Sequence, residues 1–173
     1  MIKIFVITIS VVIIQRLTEL IISKKNEKWL LSNGAVEFGA SHYKYIVIMH
    51  TCFFLSLIIE FWYSSASKNM NSEFNTFNLL FLVFFIILQF GRVWVLVSLG
   101  SFWNTKIFRI VGVQLINRGP YRYFKHPNYI VVCLEILILP LVFNLYFTAV
   151  VFTILNALIL SVRIKEESRA LEI

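Results

Sequence analysis

The chain has 173 residues, of which 59% are apolar and only 14% charged, against roughly 25% in soluble proteins; that balance excludes a water-soluble domain and points to the bilayer. The net charge of +7 is spread between apolar runs and forms no continuous basic stripe, so it reads as the positive-inside bias of membrane loops and not as a nucleic-acid surface. Aspartate is absent, which removes aspartate nucleophiles and aspartate-rich cation sites, and Cys52 and Cys133 sit in apolar runs without metal-ligand or disulfide spacing.

Apolar runs of about 20 residues read as membrane spans, and five are expected. The first, 2–22, lacks the small-residue cleavage site of a signal peptide and runs on into a charged helical turn. Arg16 and Glu19 lie three apart on one face of it, either as an interfacial ion pair or as one wall of an internal cavity. The second span, 43–63, ends in Trp62 and Tyr63, suited to an interfacial belt; His50 within it reads as a hydrogen-bonded packing residue and Glu60 as a wetted neighbour of the belt. The third, 74–99, is long enough to cross with tilt and carries Gln89 and Arg92. The stretch 128–164 is interrupted at "PLVFN" and is expected to hold two tightly turned spans, 128–143 and 145–164, as a helical hairpin. Ionisable residues inside spans mark sites by default, so Arg92 and Glu135 are candidates for a substrate pocket. The whole reads as one all-α integral membrane domain over 1–173.

Charge sets the expected orientation. Segments 23–42 and 100–127 and the tail after 162 hold most of the Lys and Arg, whereas the gap around 64–73 has only Lys68 and the N-terminus only Lys3. Five spans with the N-terminus outside place all three basic segments on the cytosolic side of a cell membrane. The loop "RGPYRYFKHPNY", 118–129, is stiffened by Pro120 and Pro127 and turned by Gly119. Asn128 and Tyr129 can open the fourth span, whose first free N–H groups suit an anion. By itself the loop's composition favours an interfacial segment with snorkelling basic residues and belt tyrosines. In the tail, Arg163 and Glu167 are four apart on one helix face, beside Glu166. An acidic face next to a stacking loop suits a zwitterionic cofactor.

These residues carry a resemblance. "GPYRYFKHPNY", followed by a helical hairpin and "RIKEESRAL", resembles the isoprenylcysteine carboxyl methyltransferase family, integral membrane enzymes that use S-adenosylmethionine and leave S-adenosylhomocysteine. The motif region covers about 106–171. The front half is similar to a bacterial branch associated with type III polyketide synthases, which resemble O-methyltransferases of alkylpyrones and alkylresorcinols. The resemblance implies cofactor contacts at Lys106, the strip Val113, Gln114, Leu115 and Ile116, then Tyr121, His126, Pro127, Asn128, Tyr129 and Glu167. It places Arg163 beside the methyl acceptor as the catalytic residue. Lys125 stands where an arginine before His-Pro is common, and the strip 113–116 lacks a histidine that some relatives have.

The implied reaction is methyl transfer without a metal to an enol, phenol or carboxylate oxygen of a lipophilic acceptor that enters from the lipid. Such a displacement depends on holding oxygen and methyl close and aligned. Methyl esterification of a prenylcysteine-like carboxylate is the nearest alternative. A relative of NADPH-dependent membrane sterol reductases and a non-enzymatic membrane scaffold are the rivals from other classes.

Overall fold

The computed structural model describes residues 1–67 and 74–171. Five α-helices make up most of it: α1 (Ile2–Ser32), α2 (Ala40–Ser67), α3 (Thr76–Leu99), α4 (Pro127–Leu141) and α5 (Tyr146–Leu171). Four of them, all but α4, are long and apolar enough to cross a membrane. The 15 residues of α4 extend only about 22 Å, short of a hydrocarbon core of about 30 Å. The all-α membrane architecture and the α4–α5 hairpin agree with expectation; the helices end at other residues than the expected spans. The first helix runs ten residues past 22, because Lys24, Lys25, Glu27 and Lys28 are good helix formers and the three lysines are exposed. The fourth stops at Leu141 and the fifth starts at Tyr146, separated by a turn in which Asn144 has φ 59. Lys68, assigned to the opposite membrane face, lies outside the described residues.

One feature absent from the sequence reading is a two-stranded antiparallel ladder. Strand β1 (Val36–Phe38), between α1 and α2, pairs with β2 (Ile107–Arg109), between α3 and α4. Three-residue strands leave too short an alternation to recognise. The ladder ties segment 23–42 to segment 100–127, and the side chains of α1 add to it. Asn26 Nδ2 donates to the carbonyls of Gly100 (3.0 Å) and Trp103 (2.7 Å), and Ser23 Oγ accepts from the Thr105 backbone N–H at 3.0 Å. All three basic segments therefore gather at one end of the bundle.

The opposite end holds the tightest apolar packing. Phe5 stacks on Phe61 at 3.7 Å between centroids, with Phe143 edge-on at 5.0 Å. Polar groups there close helix ends. Asn75 and Asn78 form a reciprocal capping box at the start of α3, and fully buried Asn78 donates to the Val142 carbonyl at 3.0 Å. Glu60 accepts from the backbone N–H groups of Phe147 (3.1 Å) and Thr148 (2.8 Å), capping α5, so it is a structural residue and not merely a wetted one.

Candidate functional site

Gly119 shapes the loop that enters the site. Its φ of 57 belongs to the left-handed region, and a Cβ on it would stand 2.1 Å from Ser98 Oγ, so only glycine lets the loop lie against the end of α3. Arg118 Nε donates to the Ser98 carbonyl at 2.6 Å, and Pro120 is buried in a single 3-10 turn over Gly119–Arg122. The chain then enters α4 at Pro127, whose fixed φ suits a first helical position.

Between this loop, the ladder and the last turns of α5 lies a cavity of about 620 Å³. Its wall includes Lys106, Val113, Gln114, Leu115, Ile116, Tyr121, His126, Asn128, Tyr129 and Glu167, which is every residue expected at the cofactor except Pro127, and also Arg163, expected beside the acceptor. Pro127 is buried at the start of α4 and sets the helix direction. The Lys106 side chain reaches the wall, but its ammonium is engaged by Glu27 at 2.8 Å and Glu37 at 3.5 Å. The hydrogen bond it donates to Glu27 is the main influence holding that lysine above its ordinary pKa. Tyr121 is pushed well above the ordinary phenol range, first by burial and then by the nearby Glu167 carboxylate, so it remains an O–H donor.

A second cavity, of about 340 Å³ and mostly apolar, opens between α1 and α2. Its rim includes Leu17, Leu20 and Val47, each about half exposed on the outer surface of the bundle. The two cavities share one wall made of Trp103, Asn104, Asn128, Tyr129 and Arg163. Trp103 is 3% exposed, and neither its indole Nε1 nor Asn128 Oδ1 has a hydrogen-bond partner within the described residues.

Arg163 is fixed within that wall by Tyr129 and Thr105. Its Nε donates to the Tyr129 hydroxyl at 3.0 Å, its Nη2 donates to the Thr105 carbonyl at 2.8 Å, and its guanidinium lies 5.5 Å from the Tyr129 ring centroid. The Tyr129 hydroxyl in turn donates to Glu167 Oε2 at 2.5 Å, and His126 Nδ1 lies 3.4 Å from the same oxygen while its ring stacks on Tyr129. Arg163 and Glu167 do share a face of α5, but Tyr129 of α4 joins them. No described hydrogen bond uses Arg163 Nη1, so one arm of the fork is left for a ligand.

The substrate-pocket candidates belong to a buried charge network. Arg92 Nε and Nη2 donate to the two Glu19 oxygens, each at 2.5 Å, and Arg92 Nη1 donates to Glu135 Oε2 at 2.8 Å. Arg16 bridges the same carboxylates, at 3.1 Å to Glu19 and 2.7 Å to Glu135, and Gln89 adds 3.0 Å to Glu135 Oε1. Arg16, Glu19 and Arg92 line the apolar cavity; Glu135 borders only a small void behind it. The local pair read from sequence is thus half of a quartet joining α1, α3 and α4. His50 is hydrogen-bonded as expected, with Nδ1 2.8 Å from the Ile46 carbonyl, yet its ring also lines the apolar cavity. Trp103, Asn104 and Thr105 were missed altogether. Their only sequence signal is a polar pair directly after a tryptophan at the end of an apolar span.

Comparison with known proteins agrees with this architecture. Residues 79–173, which contain the shared wall and the whole α4–α5 hairpin, match the family model described as the isoprenylcysteine carboxyl methyltransferase (ICMT) family. The chain belongs to the ICMT family. It is therefore a multi-pass membrane methyltransferase, in a family whose members generally use S-adenosylmethionine. The chain is 45% identical over 168 residues to the Bacillus subtilis (strain 168) protein YpbQ, covering 97% of this chain and 96% of that one. It is 31% identical over 166 residues to a Haemophilus influenzae protein, covering 95% and 93%. Both relatives are described only as uncharacterized. No solved structure matches. The ICMT match begins within α3, so α1 and α2, which form the outer walls of the apolar cavity, lie outside it.

Proposed function

We propose that this ICMT-family protein moves a methyl group from S-adenosylmethionine to an oxygen of a lipophilic acceptor, with the donor in the larger cavity and the acceptor in the apolar one. The observation that carries the reading is the shared wall: Arg163, Tyr129 and Asn128 face both cavities at once. The larger cavity suits the methyl donor in size and chemistry. Its volume falls within the usual 300–1,000 Å³ of small-ligand sites. Glu167 offers a carboxylate to hydroxyl or ammonium groups, His126 and Tyr129 offer stacked faces, and the free Asn128 Oδ1 and Trp103 Nε1 are left to bond a polar ligand. When bound, S-adenosylmethionine supplies an electrophilic methyl carbon on a sulfonium.

The chain's own residues then do the positioning. Arg163, held by Thr105 and Tyr129, turns its free arm toward the acceptor oxygen and favours the anionic, nucleophilic form of that oxygen. A lipid tail would leave between Leu17, Leu20 and Val47 into the bilayer. The basic end of the bundle faces the cytosol, where the donor is found, which puts the N-terminus outside. A type III polyketide synthase is a natural source of such an acceptor, and an alkylpyrone is one candidate. The test is calorimetric titration of detergent-solubilised protein with S-adenosylhomocysteine and with NADPH, followed by transfer of labelled methyl into a lipid extract and mass identification of the product. Binding of the first ligand alone, with label entering a lipid, is expected. Absence of adenosylhomocysteine binding refutes the reading.

A further inference from the structure

Whichever oxygen receives the methyl group, a neutral hydroxyl must lose a proton, whereas a carboxylate arrives without one. The apolar cavity offers few groups able to take that proton. Of its ionisable residues, Arg16, Arg92 and Arg163 are permanent cations. Glu19 is already held by Arg92, Arg16 and Gln15. The Tyr129 hydroxyl is committed to Glu167 and the Tyr43 hydroxyl to Thr105. Glu135, behind the cavity, is saturated by Arg16, Arg92 and Gln89.

His50 differs. Its Nδ1 stands 2.8 Å from the Ile46 carbonyl, which can only accept, so in the neutral ring Nδ1 carries the hydrogen and the lone pair is on Nε2. Nε2 has no partner among the described residues, and His50 lines the same cavity as Arg163. The hydrogen bond also fixes the ring's orientation, and the Ile46 carbonyl would stabilise an imidazolium by keeping its Nδ1–H satisfied. A tautomer set by a backbone carbonyl, with the other nitrogen unpartnered on a residue that lines a ligand cavity, suits a general base.

We infer that His50 is the proton acceptor of the reaction, and that the acceptor molecule is therefore a lipophilic phenol or enol which enters the cavity protonated, not a carboxylate. This rests on the methyltransferase reading and narrows it. In the balanced step the O–H bond breaks and its proton goes to His50 Nε2. The oxygen pair forms the new bond to carbon, and the carbon–sulfur pair returns to sulfur. Arg163 stabilises the developing oxyanion while His50 removes the proton. The charged groups around His50 are those of the quartet, Arg16 and Glu19 on α1, Arg92 on α3 and Glu135 on α4, together with Arg163 on α5. Tyr43 on its own helix and Tyr129 on α4 complete the titratable set.

The test uses three probes of one shape: 4-dodecylphenol, its methyl ether and 4-dodecylbenzoic acid. In cofactor-free protein, the phenol is expected to bind at least tenfold more tightly than the ether, and His50→Phe to abolish that preference. His50→Gln, which restores an acceptor but no base, is expected to recover the preference and not the reaction. With donor present, the wild type methylates the phenol, and both variants lose roughly 10²–10⁴-fold in kcat, the usual range for a general base. The wild-type rate falls on the acid side as His50 is protonated; the variants lose that limb and gain rate toward pH 10, where phenols ionise. Adenosylhomocysteine affinity, which reads the methyltransferase proposal separately, stays unchanged in both variants. Preference for the benzoate, transfer to neither probe, or an unaltered pH profile in His50→Phe overturns the inference.

Discussion

Replacing Arg163 by alanine separates donor binding from methyl transfer. The side chain makes two hydrogen bonds within the protein, at 3.0 Å to Tyr129 and 2.8 Å to Thr105, and leaves one arm free at the junction of the cavities. If the free arm meets the acceptor oxygen, its loss removes one preorganised donor to a developing charge, which costs about 2.7–4 kcal/mol, or roughly 10²–10³ in rate. The effect on donor affinity is indirect. Tyr129 still donates to Glu167 at 2.5 Å, so the expected loss in adenosylhomocysteine affinity is under about tenfold, or 1.4 kcal/mol. Arg163→Lys is also expected to be slow, because one ammonium cannot reach Tyr129, Thr105 and a ligand as the planar fork does. Calorimetric affinity and single-turnover transfer, measured on the same preparations, decide the matter. An Arg163→Ala protein that binds adenosylhomocysteine more than tenfold worse yet transfers normally at saturation would falsify the assignment and place the guanidinium in the donor pocket.

Glu167→Gln keeps the shape but withdraws the charge that Tyr129 and His126 address, so adenosylhomocysteine binding should weaken by roughly 10- to 100-fold, as read by calorimetry. Glu135→Gln should destabilise the protein strongly, by about 3–5 kcal/mol for a broken buried ion pair, because it leaves Arg16 and Arg92 short of one carboxylate; thermal unfolding in detergent measures it, and a change within 1 kcal/mol would argue against a closed network. Gly119→Ala forces a Cβ to within 2.1 Å of Ser98 Oγ at a left-handed φ, so both unfolding temperature and donor affinity should drop; the double change Ser98→Gly with Gly119→Ala should recover part of the loss.

How much of this was legible from sequence depends on the range of each interaction. Hydropathy alone located the helices, since a run such as 76–99 has no other stable home, but it could not end them. Lys24, Lys25 and Lys28 look like the close of a span, yet the helix that carries them continues to Ser32. Arg16 and Glu19 declared their pairing because they are three apart. Arg92 and Glu135 declared only that they were costly, because their partners lie 73 and 119 positions away and folding alone brings them together. The strip 113–116 and Lys106 were placed by resemblance, and they do line the larger cavity; nothing in their chemistry would have selected Val113 or Leu115. Tyr129 was foreseen at the cofactor, while its role as the join between Arg163 and Glu167 depends on the closeness of α4 and α5.

The charge quartet also bears on how the polypeptide is threaded into the lipid during synthesis. An arginine at the centre of a lone helix costs about 2.5–3.5 kcal/mol to place in hydrocarbon. Arg16 emerges with its own counterion one turn away, so α1 can cross nearly neutral and wait. Arg92 brings no acid of its own within a turn; its nearest carboxylate is Glu19, already lodged in the bilayer when α3 is made. Glu135 comes last, into a site where two guanidiniums are present to receive it. In chain order, each of these charges thus has an opposite one within the protein by the time its own helix is made. A protein truncated after α3 would hold two guanidiniums against a single carboxylate.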